Sequence, residues 1–148
     1  MFNFFKHNKE TATRIIWNEL CELDSFLHNK LGGYIQSQTS LDGDNLEFIN
    51  KPFAILEKQR NNIKFELYDF AKNQIFIETL QVDINKLLNI LRETLKAIND
   101  GDKKREKDLM VKVNSQLDTV SRNFSIKLDK FRELAEKYTD DRFIIGKN

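Results

Sequence analysis

The sequence predicts an all-α fold: an elongated antiparallel helical bundle of three principal helices with coiled-coil-like heptad packing. Three observations carry this. Every seventh residue from Leu56 is apolar, through Ile63, Phe70, Ile77, Ile84, Leu91 and Ile98. The companion positions four residues on include Leu67, Leu88 and Leu95, so a heptad seam runs along this stretch. The 148 residues contain one Pro and five Gly, which favours long uninterrupted helices over short strands and tight turns.

The elements follow in order. Residues 1–9 are a tail in which Phe2, Phe4 and Phe5 sit beside Lys6 and Lys9 and cap the bundle. Helix one covers about 11–37, with Thr11 or Thr13 as its cap and Ile16, Leu20, Leu23, Leu27, Leu31 and Tyr34 on its apolar face. Gly32 and Gly33 weaken its last turn by about 1 kcal/mol each relative to Ala. Residues 39–51 form a connection with a turn signal at Asp42-Gly43.

Helix two covers about 52–99, with Pro52 in the first turn, where its missing N–H is no loss. Residues 59–62 and 72–74 are rich in Asn and Gln, which compete with the helical backbone. A break at either place gives the alternative fold, a compact four-helix bundle. The alternation Ile63-Lys64-Phe65-Glu66-Leu67, followed by Leu80, Val82 and Ile84, would also suit a hairpin over 63–84. The seven-residue series runs through both stretches and favours helix. At the polar seam positions, Arg60, Gln74 and Gln81 penalise wrong registers. Asp100-Gly101-Asp102 turns the chain, with Gly101 left-handed after one helix and Asp102 capping the next. Helix three covers about 103–139, with Met110, Leu117, Phe124, Phe131 and Tyr138 at seven-residue spacing, and 140–148 is a second tail. Residues 1–148 thus read as a single helical domain.

Composition narrows the function classes. A formal charge of +1 argues against bulk nucleic-acid binding. The single Cys21 can form no internal disulfide, so a reducing, cytoplasmic location is expected. The N-terminus lacks the apolar core of a secretory leader, and no run of about 18 apolar residues spans a bilayer. His7 and His28 are the only histidines, without a Cys, His or Glu at ligand spacing, and no Gly-rich phosphate loop is present. No cofactor is expected, and the chain is read as a non-enzyme.

One acidic pattern carries the alternative. Glu19-x-x-Glu22 on helix one and Glu66-x-x-Asp69 on helix two each place two carboxylates on one helical face. Four such groups facing one another could hold Mg²⁺ and a nucleotide phosphate. On these four residues alone the chain resembles the all-α nucleotide pyrophosphohydrolases. That resemblance implies a Mg-dependent nucleotide hydrolase with Glu19, Glu22, Glu66 and Asp69 as its metal ligands.

Two surfaces point to partners. Lys103, Lys104, Arg105 and Lys107 form a basic tip, where phosphates or an acidic protein surface could be held. No aromatics interleave to stack bases, which makes a nucleic acid the weaker of those two partners. The second surface follows from lengths. Helix one is too short to cover all of helix two, so the half nearer Gly101 is left with two helices. Leu80, Leu87, Ile90, Met110, Val111 and Leu117 would then form an exposed apolar interface. The expected function is a protein–protein interaction module, an adaptor, inhibitor or accessory subunit of a bacterium or phage. It would act on a protein partner or on itself as a dimer.

Overall fold

A computed structural model of the protein describes residues 2–37 and 46–138, with side chains from Ala12 onward. The aromatics of the first tail, the Asp42-Gly43 turn and the second tail lie outside the described residues. Eight helical pieces follow in order among the described residues: α1 (Phe2–Asn29), α2 (Leu31–Ser37), α3 (Glu47–Lys58), a 3-10 turn (Arg60–Asn62), α4 (Phe65–Asp69), a π-helix (Phe70–Gln81), α5 (Val82–Asn99) and α6 (Lys103–Tyr138). The fold is all-α. Among the described residues there is no strand, so the hairpin over 63–84 does not form.

Helix one differs from expectation at its start. Its backbone is helical from Phe2, because no Gly or Pro interrupts it before Gly32, and Thr13 is buried in its body instead of capping it. Lys30 N–H reaches the Phe26 carbonyl at 2.8 Å and Tyr34 N–H reaches the Lys30 carbonyl at 2.9 Å. The ladder therefore crosses the join into α2, which ends at Ser37, inside the expected range.

Helix two is not continuous. α3 begins ahead of Pro52, which lies inside it, buried, and cannot donate to the Phe48 carbonyl. The chain then breaks at 59–64, one of its two predicted weak places. Gln59 leaves the helical region, Arg60–Asn62 make one 3-10 turn, and Ile63 and Lys64 are extended. The polar side chains take over the local bonding here: Asn62 Nδ2 donates to Gln59 Oε1 at 3.0 Å. The other weak place, 72–74, stays helical but widens into the π-helix.

That widening overturns part of the seam. Leu67, Ala71, Ile75, Thr79, Asp83, Leu87 and Leu91 recur every four residues, and all are buried except Leu91, which is half-buried. A step of four exceeds both the 3.6 of an α-helix and the 3.5 of a coiled coil, and it matches α-helix averaged with wider i→i+5 turns. Thr79 Oγ1 donates to the Gln74 carbonyl, five residues back, at 2.7 Å. Ile77, expected at the centre of the core, is 39% exposed as a result.

Four helices pack alternately up and down. α1 rises along descending α6, with the Trp17 ring stacked 6.3 Å from Phe131 and Ser125 Oγ donating to Asp24 Oδ1 at 2.6 Å. α3 descends beside α1 through the rings of Phe26, Tyr34 and Phe48, with the Phe26 and Phe48 centroids 4.9 Å apart. It reaches the π-helix through Phe53, 5.4 Å from Phe76, and Tyr68 donates to Glu57 at 2.7 Å. The rod from Phe65 to Asn99 rises beside α6. There Lys127 donates to Gln74 at 3.2 Å, and Gln116 and Asn123 donate to the Asp83 carbonyl and carboxylate at 2.9 and 3.0 Å. Gln74 thus ties the rod to α6, whereas Gln81 faces outward and Arg60 sits in the break.

The turn at Gly101 forms as expected. Gly101 has φ 71°, Gly101 N–H bonds the Ile98 carbonyl and Asp102 N–H bonds the Ala97 carbonyl, the paired bonds of a Schellman ending. Asp102 Oδ1 then accepts the Arg105 N–H at 3.1 Å and caps α6.

Candidate functional site

The region to build from is the upper part of the α5–α6 hairpin. On α5, Ile84, Leu88, Leu91, Leu95 and Ile98 follow steps of four and three, one continuous face of a helix. Low on this stripe, Ile84 and Leu88 are each 1% exposed, while above Leu91 the exposure rises to 50% at Leu95 and 48% at Ile98. The facing stripe on α6 runs Phe124, Val120, Leu117, Val113 and Met110. Phe124, Val120 and Val113 are buried, Leu117 is half-buried, and Met110 is 38% exposed.

α1 and α2 cover the lower part of both stripes. Gly32 brings α2 close to α6, since a Cβ placed there would stand 3.7 Å from Leu117 Cδ1. Above this level α2 ends. An open hollow of about 200 Å³ remains, walled by Ile35 of α2, by Leu91, Leu95 and Ile98 of α5, and by Met110 and Leu117 of α6.

Its rim carries both signs of charge. Lys103 and Lys107, seven and three residues before Met110, prolong that side of α6 towards Gly101. On α5, Arg92, which donates to Asn89 Oδ1 at 3.0 Å, follows the lining Leu91, and Glu93 precedes the lining Thr94, each by a rotation of about 100°. Glu106 is half-buried on the inner side. Asp118 is held by Arg122 at 2.7 Å.

The expected interface is corrected accordingly. Leu80 and Leu87 are buried in the chain's own core, because the break at 59–64 lets α3 fold against the π-helix and α1 lie along α6. Ile90 and Leu117 are half-buried, Met110 and Val111 are exposed, and the uncovered strip lies higher, at 91–98 and 110–117. Lys103, Lys104, Arg105 and Lys107 are all exposed at the tip.

The four carboxylates of the hydrolase alternative do not converge. Glu19 and Glu22 line a hollow with Glu47 and Lys51 of α3, while Glu66 and Asp69 stand exposed on α4, outside it. Among the described residues no three or more of His, Cys, Asp and Glu are placed to hold a metal ion.

A Ser, His and Asp do meet, unseen in the sequence because 101 positions separate Asp24 from Ser125. His28 Nε2 lies 3.5 Å from Ser125 Oγ, and His28 Nδ1 lies 2.8 Å from the Asp24 carbonyl. The imidazole stands between hydroxyl and carboxylate, its Nδ1 also 3.5 Å from Asp24 Oδ1, but both separations are long for the proton relay of nucleophilic catalysis. Here Ser125 gives its proton directly to Asp24, and it lies within α6, whose backbone N–H groups are engaged in the helix. The three residues pin α1 to α6. Burial, then the charge of Asp24, push the Cys21 thiol up to about 12.

No family model matches the chain, and neither curated proteins nor solved structures are significantly similar to it. Among the described residues no helix is long and apolar enough to cross a membrane.

Proposed function

We propose that this chain is a non-catalytic protein–protein interaction module, an adaptor, inhibitor or accessory subunit that binds through the upper α5–α6 hairpin. One observation supports the reading above others: a single apolar stripe is core at Leu88 and surface at Leu95, one heptad further along the same helix. Exposed apolar surface that continues a packed core, rimmed by charge, is the usual mark of a docking site. The partner packs on the stripe that is exposed at Leu95 and Ile98. The basic tip contributes long-range attraction, and the module works in the cytoplasm, where Cys21 stays reduced.

The test compares affinity-tagged wild type with a Leu95→Glu, Ile98→Glu variant in lysate of the native host, with bound protein identified by mass spectrometry. One protein retained in stoichiometric amount by wild type and lost from the equally stable variant supports the reading. Identical capture by both, with wild type sedimenting as a monomer, overturns it.

A further inference from the structure

We infer that the hollow at the break between α3 and α4 binds a nucleoside monophosphate, with Arg60 on its phosphate and Phe65 against its base. The break makes the hollow. Arg60–Asn62 turn once, Ile63 and Lys64 run extended, and a space of about 310 Å³ opens between them and the first turn of the rod. Arg60, Asn61, Ile63, Phe65 and Tyr68 line it. That volume lies at the lower end of small-molecule sites, which begin near about 300 Å³.

The walls show what is missing. Tyr68 is buried, and its hydroxyl is fixed on Glu57 at 2.7 Å. Two cations lie against its ring, Arg60 at 5.1 Å and Lys72 at 5.6 Å from the centroid. Lys72 is matched by Glu57 at 3.6 Å. Arg60 is not: among the described residues no carboxylate or carbonyl accepts from its guanidinium. The Tyr68 ring thus holds in place a planar fork of donors whose acceptor, a carboxylate or phosphate, the chain does not supply. Two neighbours are in the same condition. Among the described residues the Asn61 amide has no partner, and Phe65, 61% exposed, stacks on no other ring.

These three groups together select the ligand. A guanidinium takes a phosphate through two parallel bonds, a free benzene ring takes a base on its face, and a carboxamide offers a donor and an acceptor to a base edge. Arg60 is the one cation among the described residues lining the hollow, which matches a single phosphate and not a polynucleotide backbone. The hollow lies at the opposite end of the rod from Leu95, so it is independent of docking there.

Isothermal titration calorimetry of the full chain with AMP, adenosine and inorganic phosphate tests the inference. AMP should bind with a Kd below about 1 mM and at least about tenfold more tightly than adenosine or phosphate. Arg60 and Phe65 are exposed, so substituting them should leave the thermal melt in place. Arg60→Gln and Phe65→Ala should each weaken AMP binding at least about tenfold, and Arg60→Lys, which keeps the charge and loses the fork, should lie between. Lys104→Gln, at the far tip, should change nothing. Should Arg60→Gln shift the melt, Phe65→Ala carries the test. No heat with millimolar AMP, binding equalled by adenosine or phosphate alone, or binding indifferent to the Arg60 and Phe65 substitutions would overturn the inference.

Discussion

Leu88 and Leu95 are the same residue type, on the same face of the same helix, seven positions apart. One is core and the other is surface. Among the described residues the lower body has four helices around its stripe and the upper hairpin has two. A heptad repeat states which face of a helix is apolar. Whether that face is covered depends on how far the neighbouring segments reach, and Leu95 is 50% exposed where Leu88 is 1%.

Charge placed in the two regions gives the widest contrast. Ile84→Asp puts an unpaired carboxylate among fully buried neighbours and should destabilise by about 3–5 kcal/mol, a large part of the total for a domain of this size. Ile98→Asp, on the same stripe above the cover, should stay within about 0.5 kcal/mol of wild type. Urea denaturation measures both. Equal losses would mean that the upper hairpin is covered within the chain itself.

Truncation sharpens the comparison. Leu88→Ala removes buried methyl groups and leaves a cavity, for an expected loss of about 2–5 kcal/mol. Leu95→Ala should cost less than about 1 kcal/mol in the isolated chain. With a partner present, Leu95→Ala should weaken binding well beyond its effect on stability, as expected of a contact made only in the complex.

A smaller effect tests the polar join within the body. Asp83 is buried, and Asn123 donates to its carboxylate. Asn123→Ala removes that bond and should cost about 1–3 kcal/mol in thermal or urea unfolding. No measurable loss would mean that water replaces the amide at no penalty.

The smallest effect concerns Cys21. Its pKa, raised by burial and Asp24 from an ordinary value of 9.0 to about 12, makes the thiolate scarce at neutral pH. Iodoacetamide at pH 8 should react far more slowly with the folded chain than with the urea-unfolded one. The folded state holds this proton more tightly, so the thiol's contribution to stability is fully present below pH 9.0 and is lost as pH rises towards about 12. Fast alkylation of native protein would place the thiol at the surface.

What was legible in the sequence was local. Gly101 and Asp102 announced their turn because left-handed backbone and side-chain capping are settled within a few residues. The Asn-rich weakness at 59–62 was visible as well, but its weight was not: the heptad series runs through Ile63, and it takes the docking of Phe53 on Phe76 and of Tyr68 on Glu57 to fold the chain back there. The π-helix left a readable trace in the buried positions recurring every four residues from Leu67 to Leu91, a step that a seven-residue reading passes over. The contact between Ser125 and Asp24 left none, since nothing in either residue's neighbourhood specifies a partner 101 positions away.

The sequence by itself determined that this chain is helical, which residues favour burial, and where its hairpin turns, because periodicity, helix propensity and capping act over a turn or two of backbone. The tertiary structure decided where the second helix breaks, that Ile77 and Leu95 face outward, and that the paired carboxylates of α1 and α4 stay apart. Those outcomes depend on helix lengths and on contacts between distant segments, where the burial of one stripe competes with the burial of another.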